Sequence, residues 1–143
     1  MSAATRTLAL DVGEQRIGIA VSDALGLTAQ PLEVWERTAP EADLAHIAQL
    51  AADHECSAIV VGHPVTLAGA RGPQAVKAEQ FAAALRARCA CPITLWDERL
   101  TTVQGERALL EGGMRRAKRR ITVNVVAAQL LLQHYLDSQR RTP

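Results

Sequence analysis

Residues 8–22, LALDVGEQRIGIAVS, decide how this chain begins to fold. Leu8 to Val12 is a short apolar run followed by Gly13, which predicts a buried strand ending at a turn. Ile17 to Ser22 follows almost at once and predicts a second strand. Because the Glu14-Gln15 linker has the length of a hairpin connection, we expect the two strands to pair antiparallel.

The rest of the chain alternates strand-like and helix-like segments. Buried strands are predicted at Leu32 to Trp35, Ala58 to Val61 and Ile93 to Trp96. Helices are predicted at Pro40 to Ala52, Pro73 to Arg88, Thr102 to Glu111 and Val123 to Leu136, with a loop at 114–120. This order predicts an α/β fold, with a mixed five-stranded RNase H-like sheet, helices on both faces, and a single domain over residues 1–143. Actin-like and sugar-kinase ATPases share this topology, so the fold alone does not decide function.

Composition excludes several classes of protein. Apolar residues make up 48% of the chain and support a core, whereas aromatic residues make up 3%, too few for platforms that stack single-stranded bases. No apolar stretch approaches the ~20 residues of a membrane span, and the N-terminus lacks a signal-peptide core. Three cysteines, an odd number without zinc-site spacing, suit a reducing compartment. We therefore expect a cytoplasmic protein without a membrane partner.

The charges are distributed unevenly along the chain. Residues 1–112 hold nine Lys and Arg against fourteen Asp and Glu, whereas residues 113–143 hold seven Lys and Arg against Asp137 alone. The basic cluster consists of Arg115, Arg116, Lys118, Arg119 and Arg120. A polyanion such as nucleic acid would explain the cluster, and a solvated surface loop is the alternative.

Acidic side chains follow two of the predicted strands. Asp11 lies at the end of the first strand, and Asp97 and Glu98 follow the strand at residues 93–96. In an RNase H-like sheet the strand ending at Gly62 lies between these two, which separates Asp11 and Glu98 by roughly 10 Å of backbone. Two carboxylates leaning inward at that spacing suit Mg²⁺ or Mn²⁺.

Each of these residues also has an ordinary structural interpretation. Asp11 before Val12-Gly13 can be a turn former, and Glu98 can pair with Arg99 or cap the helix that follows. Successive strand residues point to opposite faces, so only one of Asp97 and Glu98 should face the site, and Asp97 is expected to make structural hydrogen bonds. Among the four histidines only His63 lies on the same edge, where it could touch phosphate.

Four blocks of sequence resemble the RuvX/YqgF family of pre-16S rRNA nucleases and Holliday junction resolvase-like proteins. The first is Leu10-Asp11-Val12-Gly13 with Arg16-Ile17-Gly18-Ile19-Ala20-Val21-Ser22-Asp23, continuing through Ala29-Gln30-Pro31-Leu32. The others are Ile59-Val60-Val61-Gly62 with Pro64 and Gly72-Pro73, Trp96-Asp97-Glu98-Arg99-Leu100-Thr101-Thr102, and the basic cluster followed by Ala127-Ala128 and Leu131-Leu132-Gln133. They occur in the family's order and span nearly the whole chain.

The resemblance implies an RNase H-like fold and metal-dependent phosphodiester cleavage, in maturing small-subunit rRNA or resolving branched DNA. By position, Asp11 and Glu98 match two catalytic acids, and Asn124 stands where the family has a third. Asp11 would bridge metal ions, Glu98 would hold a second metal or orient water, and Asn124 would be a neutral ligand, giving 3′-hydroxyl and 5′-phosphate ends. An uncharged Asn124 implies weaker or more manganese-selective binding, or lost catalysis; alternatively it is simply a polar residue in the first turn of its helix.

The basic cluster would grip the phosphate backbone without reading sequence, and Arg16 and Arg99 could add contacts. Two other functions remain open. One is a non-catalytic nucleic-acid binding protein, with Asn124 marking lost chemistry. The other is a nucleotide-phosphate binder, because Asp11-x-Gly13 is similar to the phosphate hairpin of the ATPases, although 143 residues leave no room for their second domain. Resolving a symmetric junction would also call for a homodimer.

Overall fold

A five-stranded mixed sheet forms the centre of the structure, a computed structural model that describes residues 6–65, 69–97 and 116–141. Its order is β3-β2-β1-β4-β5, with β1, β2 and β3 antiparallel and β4 and β5 parallel to β1. The strands are β1 (Arg6–Val12), β2 (Arg16–Ser22), β3 (Ala29–Glu36), β4 (Cys56–His63) and β5 (Ile93–Asp97), and the helices are α1 (Pro40–Asp53), α2 (Pro73–Arg86) and α3 (Arg116–Arg141). The predicted hairpin and sheet are confirmed, and β4 lies between β1 and β5 as expected.

Alternation along the strands divides the core into two layers. On β1, Leu8 and Leu10 belong to a layer that α1 and α2 cover, whereas Ala9 belongs to a second layer that α3 covers. Neighbouring strand residues face opposite sides of a sheet, so every other β1 residue turns toward α3. Small side chains such as Ala9 and Ala20 on that side let α3 pack close to the sheet.

Two sequence-based expectations about elements were wrong. Residues 116–120 are not part of a loop, because α3 already begins at Arg116; Lys, Arg and Ala are strong helix formers, so the basic run continues the helix. The third strand begins at Ala29 rather than Leu32 and includes Pro31. Proline has no N–H to donate, and an edge strand such as β3 tolerates this because its outer side has no neighbouring strand. The predicted helix at 102–111 and loop residues 114–115 lie outside the described residues.

The C-terminal half of α3 is bound to the turn between β2 and β3. Gln133 accepts a hydrogen bond from the Ala29 N–H (2.9 Å) and donates to the Leu27 carbonyl (3.0 Å), which Arg140 also reaches (3.1 Å). Ala29 pairs with Ser22, at the edge of the sheet where β1 begins. From this attachment α3 runs back toward the edge where β1 ends. Neither α3 nor any other helix in the described segments is both long and apolar enough to cross a lipid bilayer.

Candidate active site

Asp11 is a nearly buried carboxylate at the end of β1. It is 8% exposed and lies two residues after Ala9, so strand alternation puts it on the face that α3 covers. Burying a carboxylate is costly, and such a residue needs a compensating partner or a functional reason. The structure therefore places this sequence-predicted ligand at the edge where the sequence analysis expected a site.

Glycines flank Asp11 on both sides. Gly18 of β2 is its direct partner in the antiparallel pair. In the parallel pair, Leu10 is opposite Val61, which brings the next residue, Gly62, beside Asp11. Neither neighbour has a side chain, so the adjacent strands place no side chain directly beside the carboxylate. We call this arrangement the glycine row; a glycine inside a strand is a sign of close approach by a ligand or backbone, which the sequence analysis did not use.

The acids after β5 divide between the two faces. Leu95 packs against the layer under α1 and α2, and Trp96 packs against the layer under α3. Alternation therefore turns Asp97 away from the face of Asp11, in line with the expectation that it is not the ligand. Glu98 and Arg99 lie outside the described residues.

Asn124 belongs to α3, although its side chain lies outside the described part of the structure. Its position along the helix can be counted from Gln133, which is bonded to Ala29. Ala29 pairs with Ser22, and Ser22 Oγ accepts a hydrogen bond from the Thr7 N–H (2.8 Å), so this attachment lies near the start of β1. Nine residues of helix, about 13 Å, separate Gln133 from Asn124. Four residues of strand, also about 13 Å, separate Thr7 from Asp11. Position 124 therefore lies in the part of α3 that extends from this attachment toward the edge of the sheet that carries Asp11.

His63 turns away from Asp11 and binds Glu79 of α2. The distance from His63 Nε2 to Glu79 Oε2 is 2.6 Å, and Arg71 donates to both carboxylate oxygens of Glu79, at 2.8 and 2.5 Å. Hydrogen bonds from Arg71 and then His63 lower the pKa of Glu79 to about 2. The expectation that His63 touches phosphate therefore loses its support, since the ring is engaged on the opposite face of the sheet.

Arg16 begins β2 and lies on the same face as Gly18, at the rim of the glycine row. Its Nε donates to Glu36 Oε2 at 2.7 Å, and the Arg16 side chain is 23% exposed. Arg115, another predicted nucleic-acid contact, lies outside the described residues. For the remaining ones only the backbone is described, and it forms the first turns of α3: Arg116, Lys118, Arg119 and Arg120.

A buried ion pair supports the hairpin that follows Asp11, and the sequence analysis missed it. Asp43 of α1 is 2% exposed and accepts hydrogen bonds from Arg37 Nε (3.0 Å), Trp35 Nε1 (2.9 Å) and the Thr38 N–H (3.1 Å). Burial alone would raise the pKa of Asp43, but these hydrogen bonds and the Arg37 charge outweigh it, and the pKa lies below its usual value. The only sequence signal was an Asp in the first turn of a helix, an ordinary position for it.

The described residues hold no group of three His, Cys, Asp or Glu side chains that could bind a metal ion. The predicted ligand set has three members, and only one of them, Asp11, has a side chain within the described residues. The finding is therefore compatible with that set. The Asp11 side chain suits a hard divalent cation. Asp11 supplies carboxylate oxygen, which Mg²⁺ and Mn²⁺ favour, and its neighbours on the adjacent strands are glycines that place no side chain beside it.

Comparisons with known sequences give one consistent family. The family model RuvX, described as Holliday junction resolvase, matches residues 5–138. A protein of Halalkalibacterium halodurans named "Putative pre-16S rRNA nuclease" is 50% identical over 137 residues, covering 94% of this chain and 98% of the relative. A protein of the same name from Myxococcus xanthus is 46% identical over 135 residues, covering 94% of this chain and 89% of the relative.

Solved structures resemble the fold at much lower sequence identity. RuvC of Thermus thermophilus, in complex with a Holliday junction substrate, matches with a TM-score of 0.61 and 16% identity over 96% of this chain and 97% of that one. The Holliday junction resolvase of fowlpox virus matches with a TM-score of 0.55 and 11% identity, over 94% and 99% of the two chains. These likenesses confirm the RNase H-like architecture expected from the order of elements.

Proposed function

Because this chain belongs to the RuvX family, we propose that it is a metal-dependent nuclease that hydrolyses phosphodiester bonds in precursor 16S rRNA, in Holliday junction DNA, or in both. The observation that carries the proposal is the setting of Asp11. A nearly buried carboxylate lies at the carboxyl end of the central parallel strand, where α/β sheets place their ligands, and glycines lie beside it on both neighbouring strands.

Asp11, Glu98 and Asn124 are the proposed metal ligands, with Mg²⁺ or Mn²⁺ as the ion. When bound, divalent metal would lower the pKa of a water molecule and stabilise the charge that develops on the leaving oxygen. The chain's own part is to hold that ion. Asp11 provides a carboxylate on a strand at the centre of the sheet, and α3, which packs on the same face, carries position 124. Glu98 follows Asp97, and alternation beyond β5 is expected to turn it toward the face of Asp11.

The basic cluster is proposed to hold the nucleic-acid backbone. Arg116 to Arg120 form the N-terminal turns of α3, the end of the helix that lies toward Asp11. Contacts of this kind neutralise phosphates without reading bases, which suits a substrate recognised by its shape. Arg16, at the rim of the glycine row, is proposed as a further contact once it exchanges Glu36 for a phosphate.

The decisive experiment is cleavage of a labelled precursor 16S rRNA fragment and a four-way DNA junction, each with magnesium and with manganese. Asp11→Asn keeps the size of the side chain and removes its charge, so cleavage should disappear. Asp53→Asn, an exposed residue at the far end of α1, is the matched control and should cleave like wild type. Cleavage retained by pure Asp11→Asn protein would overturn the proposal.

A non-catalytic nucleic-acid binding protein is the second candidate, favoured by one observation. The proposed ligand on α3 is Asn124, which brings no negative charge to a metal. Wild-type protein that binds both substrates without cutting them, and an Asn124→Asp variant that gains cleavage, would establish this alternative. Sedimentation of the protein with and without a junction would test the proposed homodimer, since a symmetric junction offers two equivalent strands.

A further inference from the structure

Arg37 makes two contacts with the hairpin that follows Asp11. Its Nη1 donates to the Gly13 carbonyl (2.9 Å), and its backbone N–H donates to the Gln15 carbonyl (2.8 Å). Gly13 is only two residues from Asp11 in the chain, and Gly13 and Gln15 both belong to the turn joining β1 to β2. One residue thus fixes both sides of the turn next to the proposed catalytic carboxylate.

The hairpin has weaker support from its other contacts. Its internal hydrogen bond runs from the Gly13 N–H to the Arg16 carbonyl (2.8 Å). A Cβ at Gly13 would approach that carbonyl oxygen to 2.9 Å, so this turn closes tightly and accepts only glycine without adjustment. Glu14 at the tip of the hairpin also forms an ion pair with Lys77, but their side chains are 63% and 42% exposed. Ion pairs that are this exposed contribute little to stability.

The guanidinium of Arg37 is itself held in one orientation. Its Nε donates to Asp43 of α1, whose second carboxylate oxygen is occupied by other donors. Its Cζ lies 5.4 Å from the centre of the Phe81 ring of α2, within the range of a cation–π interaction. Arg37 therefore joins the hairpin to two helices on the face opposite to α3, and the planar, multidentate guanidinium is suited to such a role.

We propose that Arg37 is a positioning residue for the nuclease reaction: by fixing the Gly13–Gln15 hairpin to α1 and α2, it holds the Asp11 carboxylate in the orientation that the chemistry needs. This inference rests on the proposed function. Misplacing a reacting group by about 1 Å can cost about 100-fold in rate. We therefore expect Arg37→Ala to lower kcat by about 10- to 100-fold and to change KM by less than about threefold.

A cavity beside Arg37 makes a specific test possible. It has a volume of about 660 Å³, opens to solvent, and is lined by Arg37, Asp43, Phe81, Leu44 and Lys77 among others. Truncation of Arg37 would extend this cavity to the Asp43 carboxylate and the Gly13 carbonyl. Millimolar guanidinium ion can enter and occupy the vacated position, because it carries the same planar set of donors.

The experiment measures two quantities on wild type, Arg37→Ala and Arg37→Lys, with and without guanidinium. The first is steady-state cleavage, and the second is amide hydrogen exchange of residues 11–16. Arg37→Lys keeps a positive charge near Asp43 but cannot also donate a hydrogen bond to the Gly13 carbonyl. Its kcat and its hairpin exchange rate should therefore lie between those of wild type and Arg37→Ala. Arg88→Ala is the control; Arg88 pairs with the exposed Glu41 and not with Asp43 or the hairpin, and its loss should change neither readout.

The expected result is faster exchange in the hairpin and a lower kcat for Arg37→Ala, with guanidinium restoring both and having no effect on Arg88→Ala. A folded Arg37→Ala protein with wild-type kcat would overturn the inference. It would also be overturned if activity fell, guanidinium did not restore it, and amide exchange in the hairpin stayed at the wild-type rate. If wild type cleaves neither substrate, the proposed function fails separately. Unchanged hairpin exchange in Arg37→Ala would then still refute the role of Arg37.

Discussion

Asp11 stands directly opposite Gly18 in the antiparallel pair of β1 and β2, so the carboxylate of the proposed site faces a residue without a side chain. Both residues lie on the side of the sheet that α3 covers. Because glycine has no side chain, any substitution at Gly18 would put new atoms directly beside the carboxylate.

Filling the glycine row at position 18 should block the site while leaving the strand intact. Valine suits a strand better than glycine, so Gly18→Val should fold, but its two methyl groups would occupy the surface next to Asp11. We expect cleavage to fall by about 100-fold, and Gly18→Ala to show a smaller loss. The measurement is kcat/KM on the better substrate with circular dichroism as a check on folding. Wild-type cleavage by folded Gly18→Val would mean that the space is not used.

The buried Asp43 should be among the most sensitive positions for stability. Asp43→Asn removes the charge that pairs with Arg37 and disturbs the acceptor of three donors inside the protein. We expect the free energy of unfolding to fall by about 3 kcal/mol, since losing one partner of a buried ion pair leaves the other uncompensated. Urea unfolding measures this change. The exposed Asp53→Asn should shift the same quantity by about 0.5 kcal/mol or less, and equal effects of the two variants would contradict the assignment.

Glu79 should make stability depend on pH in the acid range. Its pKa is lowered from 4.5 to about 2, first by the hydrogen bonds from Arg71 and then by His63. A lowered carboxyl pKa contributes stability that is fully present above the unfolded value and is lost as pH falls through the folded value. The stability difference between wild type and Glu79→Gln should therefore be constant above pH 4.5 and shrink between pH 4.5 and pH 2.

Urea unfolding of both proteins at several pH values provides the measurement for Glu79. Arg71→Gln is a companion variant, because it removes the larger cause of the low pKa and should weaken the same dependence. Two stability curves that stay parallel down to pH 2 would show that Glu79 does not titrate as described.

Cys56 should be unreactive toward alkylating agents in the folded protein. Burial, and then the neighbouring Cys91, raise the pKa of the Cys56 thiol to about 11, and burial also raises the pKa of Cys89. Only the thiolate reacts quickly, so little of the reactive form is present at pH 8. Mass spectrometry after brief treatment with iodoacetamide should find Cys56 unmodified in native protein and modified after unfolding in urea. Equal modification in both states would contradict this expectation.

The basic cluster should account for most of the salt dependence of nucleic-acid binding. Each phosphate contact to duplex DNA contributes about 0.9 to the slope of log affinity against log salt. Replacing Arg119 and Arg120 with Gln should therefore reduce the slope by about 2 if both contact phosphate. Binding to junction DNA between low and moderate salt tests this, with Arg88→Gln, which lies outside the basic cluster and pairs with Glu41, as the control. A slope that does not change would remove these two residues from the interface.

Local patterns were enough to predict the sheet. The apolar runs of β1 and β2 and the short Glu14-Gln15 linker specify a hairpin by themselves, and the β-branched run of β4 marks a strand buried on both faces. The error at residues 116–120 has a local cause as well. The prediction of a loop at 114–120 gave weight to the run of charges and not to the helix propensity of Arg, Lys and Ala, which lets α3 include Arg116 to Arg120.

The surroundings of the site depend on contacts that no local pattern contains. His63 lies at the expected edge, but its direction is decided by the phase of β4, in which Val61 packs under α1 and α2. The pairing of Arg37 with both Asp43 and the Gly13 carbonyl requires β3, α1 and the hairpin to be assembled first. Long-range geometry of this kind follows from the packing of whole elements.

The attachment of Gln133 to Ala29 joins residues 104 positions apart, and this separation has a consequence for the order of events during protein synthesis. The hairpin with Asp11 is made early, but the helix that covers its face is synthesised about a hundred residues later. Until then the apolar strip containing Ala9, Ala20 and Val60 lacks its cover. A nascent chain can therefore hold a formed hairpin while the face of the sheet that carries Asp11 is still exposed to solvent.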